Sequence, residues 1–144
     1  MKNDMTYTEW EKYWQNKYDH FPMGFAFSDK QFEEELERLG VKSVDDVVGI
    51  DYSGFGFIRK SDVEAYNKLN RDYENDKKRM MKNDRFMVDM FLSELADHEY
   101  GYTMDWTDAL FATGITLKEF EANGRYQRLL AEAIKEYKKG EKNG

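Results

Sequence analysis

The chain contains no cysteine. Disulfides, thiolate nucleophiles and thiolate metal sites are therefore excluded, and a reducing compartment is the matching one. Proline is almost as scarce. Pro22 is the only one, so nothing downstream of it interrupts a long helix. No apolar run approaches the roughly 18 residues of a membrane span. The opening "MKNDMTYTEW" has no apolar core of the kind a secretory leader carries. A soluble, cytoplasmic protein is the expectation. Histidine occurs twice, at 20 and 98.

What is present is enough for one core. Hydrophobic residues make up 40% of the 144 and aromatic ones 16%, which outweighs the disorder that a charged fraction of 35% would otherwise suggest. A single domain over 1–144 is expected, with an ordered core over 6–139 and a frayed tail at 140–144. The net charge of −7 is unevenly spread. Residues 84–123 hold two basic and nine acidic side chains, whereas residues 124–144 hold six basic and three acidic. The acidic middle would repel a phosphate backbone.

Periodicity outlines the elements. "TEWEKYWQNKYD" places Trp10, Tyr13, Trp14 and Tyr18 at helical spacing. "MGFAFS" reads as a short strand through Phe25 and Phe27. "SDKQFEEELERLG" reads as a helix, with a capping box at Ser28 and Gln31 and Gly40 just past its end. "DDVVGIDYSGFGFIRK" reads as a hairpin with arms Val47–Asp51 and Phe55–Arg59 and a turn at Ser53 and Gly54. A third helix starts at a box of Ser61 and Glu64. It breaks near Asn83, where Asn83 or Asp84 caps a fourth helix with a stripe of Met87, Met90, Phe91 and Leu95. "DWTDALFATG" and "TLKEFEA" are short helices, the second opened by Thr116 and Glu119. "RYQRLLAEAIKEYKK" is the last. The fold class is α+β: a helix-dominated single domain with a small, roughly three-stranded antiparallel sheet that includes the hairpin. Trp14, Phe32, Leu36, Leu69, Phe91, Leu95, Leu110 and Leu130 are the expected core.

The chemistry-bearing stretch is "DHEYGYTMDW", residues 97–106. A zincin helix would need a second histidine four residues after His98, and Tyr102 stands there. A metal or hydrolytic centre on His98 would have to recruit Asp97, Asp105 or Asp108. No serine sits in a nucleophile elbow. "GFGF" lacks the basic residue and helix start of a phosphate loop. "DALFATGITLKEFEANG" has a helix–turn–helix outline, yet its second helix sets Lys118 against Glu119 and Glu121, which suits a packed corner better than a DNA reader. The run "DKKRMMK", 76–82, carries Lys77, Lys78, Arg79 and Lys82, interleaved with acids as on a solvated helix face.

Three stretches together, "FAFSDKQFEEELERLG", "GFGFIRKSDVEAY" and "FLSELADHEYGYTMDWTDALFATGIT", resemble a family of small uncharacterised proteins from gut Firmicutes and their phages. The resemblance runs over roughly residues 23–137. It implies a mobile-element setting and transfers no catalytic residue. Asp97 stands where the family pattern has asparagine, so this chain is more acidic there.

These readings converge on a non-catalytic accessory protein of phage or mobile DNA. It is expected to bind a host protein, such as a defence nuclease complex, as an anti-CRISPR or anti-restriction inhibitor. The expected contact surface is Asp97, His98, Glu99, Tyr102, Asp105 and Asp108, with secondary contacts at Tyr52, Phe55, Lys77, Lys78 and Arg79. Gly101 is expected to make the sharp turn, with one of Tyr100, Tyr102 and Trp106 facing inward. No cofactor, metal or membrane partner is expected, and nucleic acid is disfavoured. One alternative is a nucleic-acid-binding regulator acting through 77–82. Another is a small metal-dependent hydrolase centred on His98.

Overall fold

A computed structural model describes residues 5–50 and 54–143, the last three of these by backbone only. Eight helices are found in this part of the chain: α1 Tyr7–Asp19, α2 Asp29–Arg38, α3 Val63–Met80, α4 Asp84–Asp97, α5 Tyr100–Thr103, α6 Thr107–Ala112, α7 Leu117–Glu121 and α8 Gly124–Asn143. Three strands, β1 Gly24–Phe25, β2 Val47–Gly49 and β3 Gly56–Arg59, form an antiparallel sheet in the order β1-β3-β2. The α+β class, helix-dominated with a small sheet, is as the periodicity reads. Backbone contacts group into two compact units, one of residues 1–12 and 76–144 and the other of residues 13–75. No helix among the described residues is long and apolar enough to cross a membrane.

In the unit of residues 13–75, β3 is the central strand. Val47 pairs with Arg59 and Gly49 with Phe57 on one side, and Gly24 pairs with Phe57 on the other. The Phe57 ring lies so close over Gly24 that a Cβ there would collide with it. The same ring meets Phe32 of α2 at 4.9 Å between centroids. This close approach is the reason for glycine at 24. Helix α2 begins at Ser28, whose hydroxyl accepts from the Gln31 amide. Gln31 closes on the amide of Phe27 rather than that of Ser28, so the expected box is shifted by one residue. Gly40, at φ +72°, ends the helix in a Schellman turn, with the Val41 amide on the Leu36 carbonyl and the Gly40 amide on that of Glu37. The box expected at Ser61 and Glu64 does not form, because Ser61 lies inside a 3-10 turn, Lys60–Asp62, that feeds α3. Asp51, Tyr52 and Ser53, part of the expected hairpin turn and contact set, fall outside the described residues.

In the unit of residues 1–12 and 76–144, α4 packs against α8, α6 and α5. Its stripe is as expected: Met87, Met90, Phe91 and Leu95 are fully buried. Asn83 caps it, its side chain accepting from the Phe86 amide, which ends α3 at Met80 and starts a new helix. Leu129, Leu130 and Ala133 of α8 complete this core with Leu110 of α6. Tyr7 and Trp10 cover Phe86, with ring centroids 5.5 Å apart in both pairs. Beneath them Asp76 is buried, accepting from Trp10 Nε1 at 2.9 Å and paired with Arg79 at 2.6 Å. Helix α8 runs on to Asn143, past the end at 139 expected for the ordered core. Trp14, Phe91, Leu95, Leu110 and Leu130 are buried as expected. Phe32, Leu36 and Leu69 are only half-buried, a correction to the expected core.

Candidate functional site: an acidic, aromatic corner

The acidic stretch lies wholly within the unit of residues 1–12 and 76–144. Helix α4 ends at His98, whose amide still reaches the Glu94 carbonyl. Glu99 then adopts a left-handed backbone, φ 56°. Gly101, expected to make the turn, does not: it sits inside α5, and its φ is not positive. The second left-handed residue is Met104, φ 59°, on the far side of α5. A one-turn helix is thus held between two non-glycine residues in a conformation that L side chains adopt at a cost of roughly 1–2 kcal/mol each.

Two anchors offset that cost. Tyr100 is buried, edge-on to Tyr137 of α8 at 5.5 Å. Trp106 is half-buried against Phe120 of α7 at 5.2 Å. Between them Tyr102 projects into solvent with 91% of its surface exposed. Of the three rings, then, one is inward, one half inward and one outward. Asp97, His98, Glu99, Asp105 and Asp108 are all exposed, as the sequence reading of this surface requires. Asp105 is ordered. Its Oδ1 accepts from the Thr107 amide at 2.8 Å, and hydrogen bonds from the Thr107 hydroxyl and amide hold its carboxyl below the ordinary range. Its own amide bonds Thr103 Oγ1 at 3.1 Å.

The exposed apolar side chains here are more numerous than the sequence reading proposed. Phe111 is 82% exposed, and Met104 and Leu117 are exposed as well. On α6, Ala109 and Leu110 point into the core, which leaves Asp108 and Phe111, three residues apart, on the outer face. The spacing of "DALF" holds that information, because Leu110 and Ala109 can be buried together only with Phe111 turned away.

The remaining expected residues separate. His98 Nε2 lies 3.4 Å from Glu94 Oε2, and the other Glu94 oxygen accepts from the Tyr7 hydroxyl at 3.2 Å. No group of three or more His, Asp and Glu side chains among the described residues is arranged to hold a metal ion. Lys77 is half-buried, with Nζ on the Thr113 carbonyl at 2.5 Å, where it caps the end of α6. Arg79 is spent on Asp76. The run 77–82 is therefore less of a solvated face than its sequence suggests. Lys78 and Lys82 are exposed. Phe55 is exposed in the other unit, its ring tilted against that of Phe27 at 4.7 Å.

A family model described as a family of unknown function (DUF7659) matches residues 6–136, and the chain belongs to that family. No curated protein and no solved structure matches the chain.

Proposed function

We propose that this is a non-catalytic binding protein of phage or mobile-element origin. It acts in the cytoplasm on a host protein, as an anti-CRISPR or anti-restriction inhibitor. The observation that carries the reading is Tyr102. It is 91% exposed on a turn held by two left-handed non-glycine residues, with carboxylates on both sides of it in the chain. A protein that spends backbone strain to present a tyrosine amid acids is built for contact. Exposed tyrosine and phenylalanine supply anchor area, and the carboxylates steer a basic partner such as a groove that ordinarily holds phosphates. The mobile-element setting rests on the motif resemblance of residues 23–137.

The two alternatives have less support. The basic run gives Lys77 and Arg79 to internal contacts, and His98 pairs with Glu94 without joining a metal-holding group among the described residues.

The test is expression in host strains carrying defined CRISPR or restriction systems, scored by plating of a targeted phage. The expected result is restored plating against at least one system, by two or more orders of magnitude. Unchanged plating throughout, together with duplex DNA binding that weakens steeply with salt, would replace this reading with the regulator.

A further inference from the structure

In the unit of residues 13–75, a groove of about 480 Å³ runs between the last turn of α1 and the first half of α3. We infer that this groove is a binding site for a small aromatic monoanion, an aryl carboxylate or sulfonate in chemical class. The inference is independent of the acidic corner and of the protein-binding reading.

The floor is apolar. Phe21, Pro22 and Leu69 line it, and Ala65 leaves room where a longer side chain would fill it. The Phe21 ring is fixed against Tyr66 at 5.4 Å. The volume lies within the roughly 300–1,000 Å³ usual for small-molecule sites. A bare inorganic anion would leave this floor wet, so the ligand needs a flat apolar body.

The rim is cationic. Lys17 and Lys68 stand on it with His20, against one carboxylate, Asp72. Lys17 is held there by the faces of Tyr13 and Trp14, at 5.1 and 5.5 Å from their centroids. Lys68 is placed by Asp72 at 2.7 Å. His20 Nδ1 lies 2.7 Å from the Asn16 carbonyl. A carbonyl only accepts, so Nδ1 carries the proton and Nε2 is an acceptor in the neutral ring. The anion is therefore held by the ammonium groups of the rim, and the His20 ring serves as a wall of the groove. The positive rim is local, since residues 13–75 as a whole hold eight basic and thirteen acidic side chains. Charge complementarity therefore selects an anion at this groove and not over the unit at large.

The probe is anilinonaphthalene sulfonate, titrated into the full chain and followed by NMR. Saturable shifts are expected at the His20 ring and the Leu69 methyls. Uncharged phenylnaphthylamine should bind about tenfold more weakly or worse, and sulfate alone should give no saturable shift. Lys68→Glu should weaken the probe at least about fivefold, because two carboxylates would then face the rim. That side chain is 69% exposed, so the fold tolerates the change. Lys17→Gln is the second variant, expected to act in the same direction. The inference is overturned if the shifts centre on Phe25, Phe27 and Phe55, if the neutral analogue binds equally well, or if both lysine variants bind as the parent does.

Discussion

Two residues carry more than their sequence context suggests. Asp76 opens the basic run and reads there as one of several interleaved surface acids. In the fold it is the buried acceptor for Trp10 and the partner of Arg79. Removing one member of a buried pair leaves the others desolvated and unsatisfied. Asp76→Ala should therefore cost about 2–4 kcal/mol, discounted because Arg79 itself is partly exposed, and chemical denaturation measures it. Glu99 is the converse case, a residue whose backbone costs stability. Glu99→Gly should raise stability by about 0.5–1 kcal/mol, since glycine enters the left-handed region freely but gives up more chain entropy on folding. A loss of stability in that variant would mean that the Glu99 side chain makes a contact worth more than the strain.

The elements were largely legible from spacing. Helix α4, its cap at Asn83 and its buried stripe follow from polar and apolar residues at 3.6-residue intervals, and the reciprocal box of Thr116 and Glu119 forms as written in the sequence. What was not legible depends on tertiary demand. Nothing local distinguishes Gly101, which is helical, from Glu99, which turns the chain; burying Tyr100 against Tyr137 imposes that choice. Phe32, Leu36 and Leu69 lie on correctly phased faces, but in the smaller unit there is too little covering structure to bury them fully. The site shows the same division. Exposure of the acids was legible from charge, whereas the outward turn of Phe111 follows only once Leu110 is placed in the core.

Two predictions belong to this scale. Truncation of Phe91, central in α4, should cost about 3–5 kcal/mol by calorimetry or denaturation. The contact between the first turns of α1 and the end of α4 should respond to pH. Glu11 is held above the ordinary carboxylate range, first by desolvation and then by repulsion from Glu94 and Asp97, with Tyr7 and Lys77 acting in the opposite direction. The folded state thus binds this proton more tightly than the unfolded chain does. Its stabilisation is complete below the ordinary glutamate range and is lost as pH rises through the raised value. Glu11→Gln should accordingly melt higher than the parent at pH 7 and equally at pH 3.5. Equal melting at both would show that the carboxylate is fully solvated.

At the scale of the whole molecule, the proposed contact of residues 97–111 with a basic protein partner depends on the negative charge of their acids, which the fold does not need, since an amide at 105 still accepts from the Thr107 amide. Residues 97–111 hold four acidic side chains and no lysine or arginine, a net −4 within a chain of net −7, and the exposed rings of Tyr102 and Phe111 accompany them. The most direct measurement is protection in the phage-plating assay, and affinity for the defence complex it identifies, in a variant with Glu99→Gln, Asp105→Asn and Asp108→Asn. The account predicts melting within a few degrees of the parent, because exposed substitutions usually change stability by under about 0.5 kcal/mol each. It also predicts affinity reduced at least about tenfold, with most of its salt dependence gone. A folded triple variant that protects and binds as the parent does, with unchanged salt dependence, would contradict it.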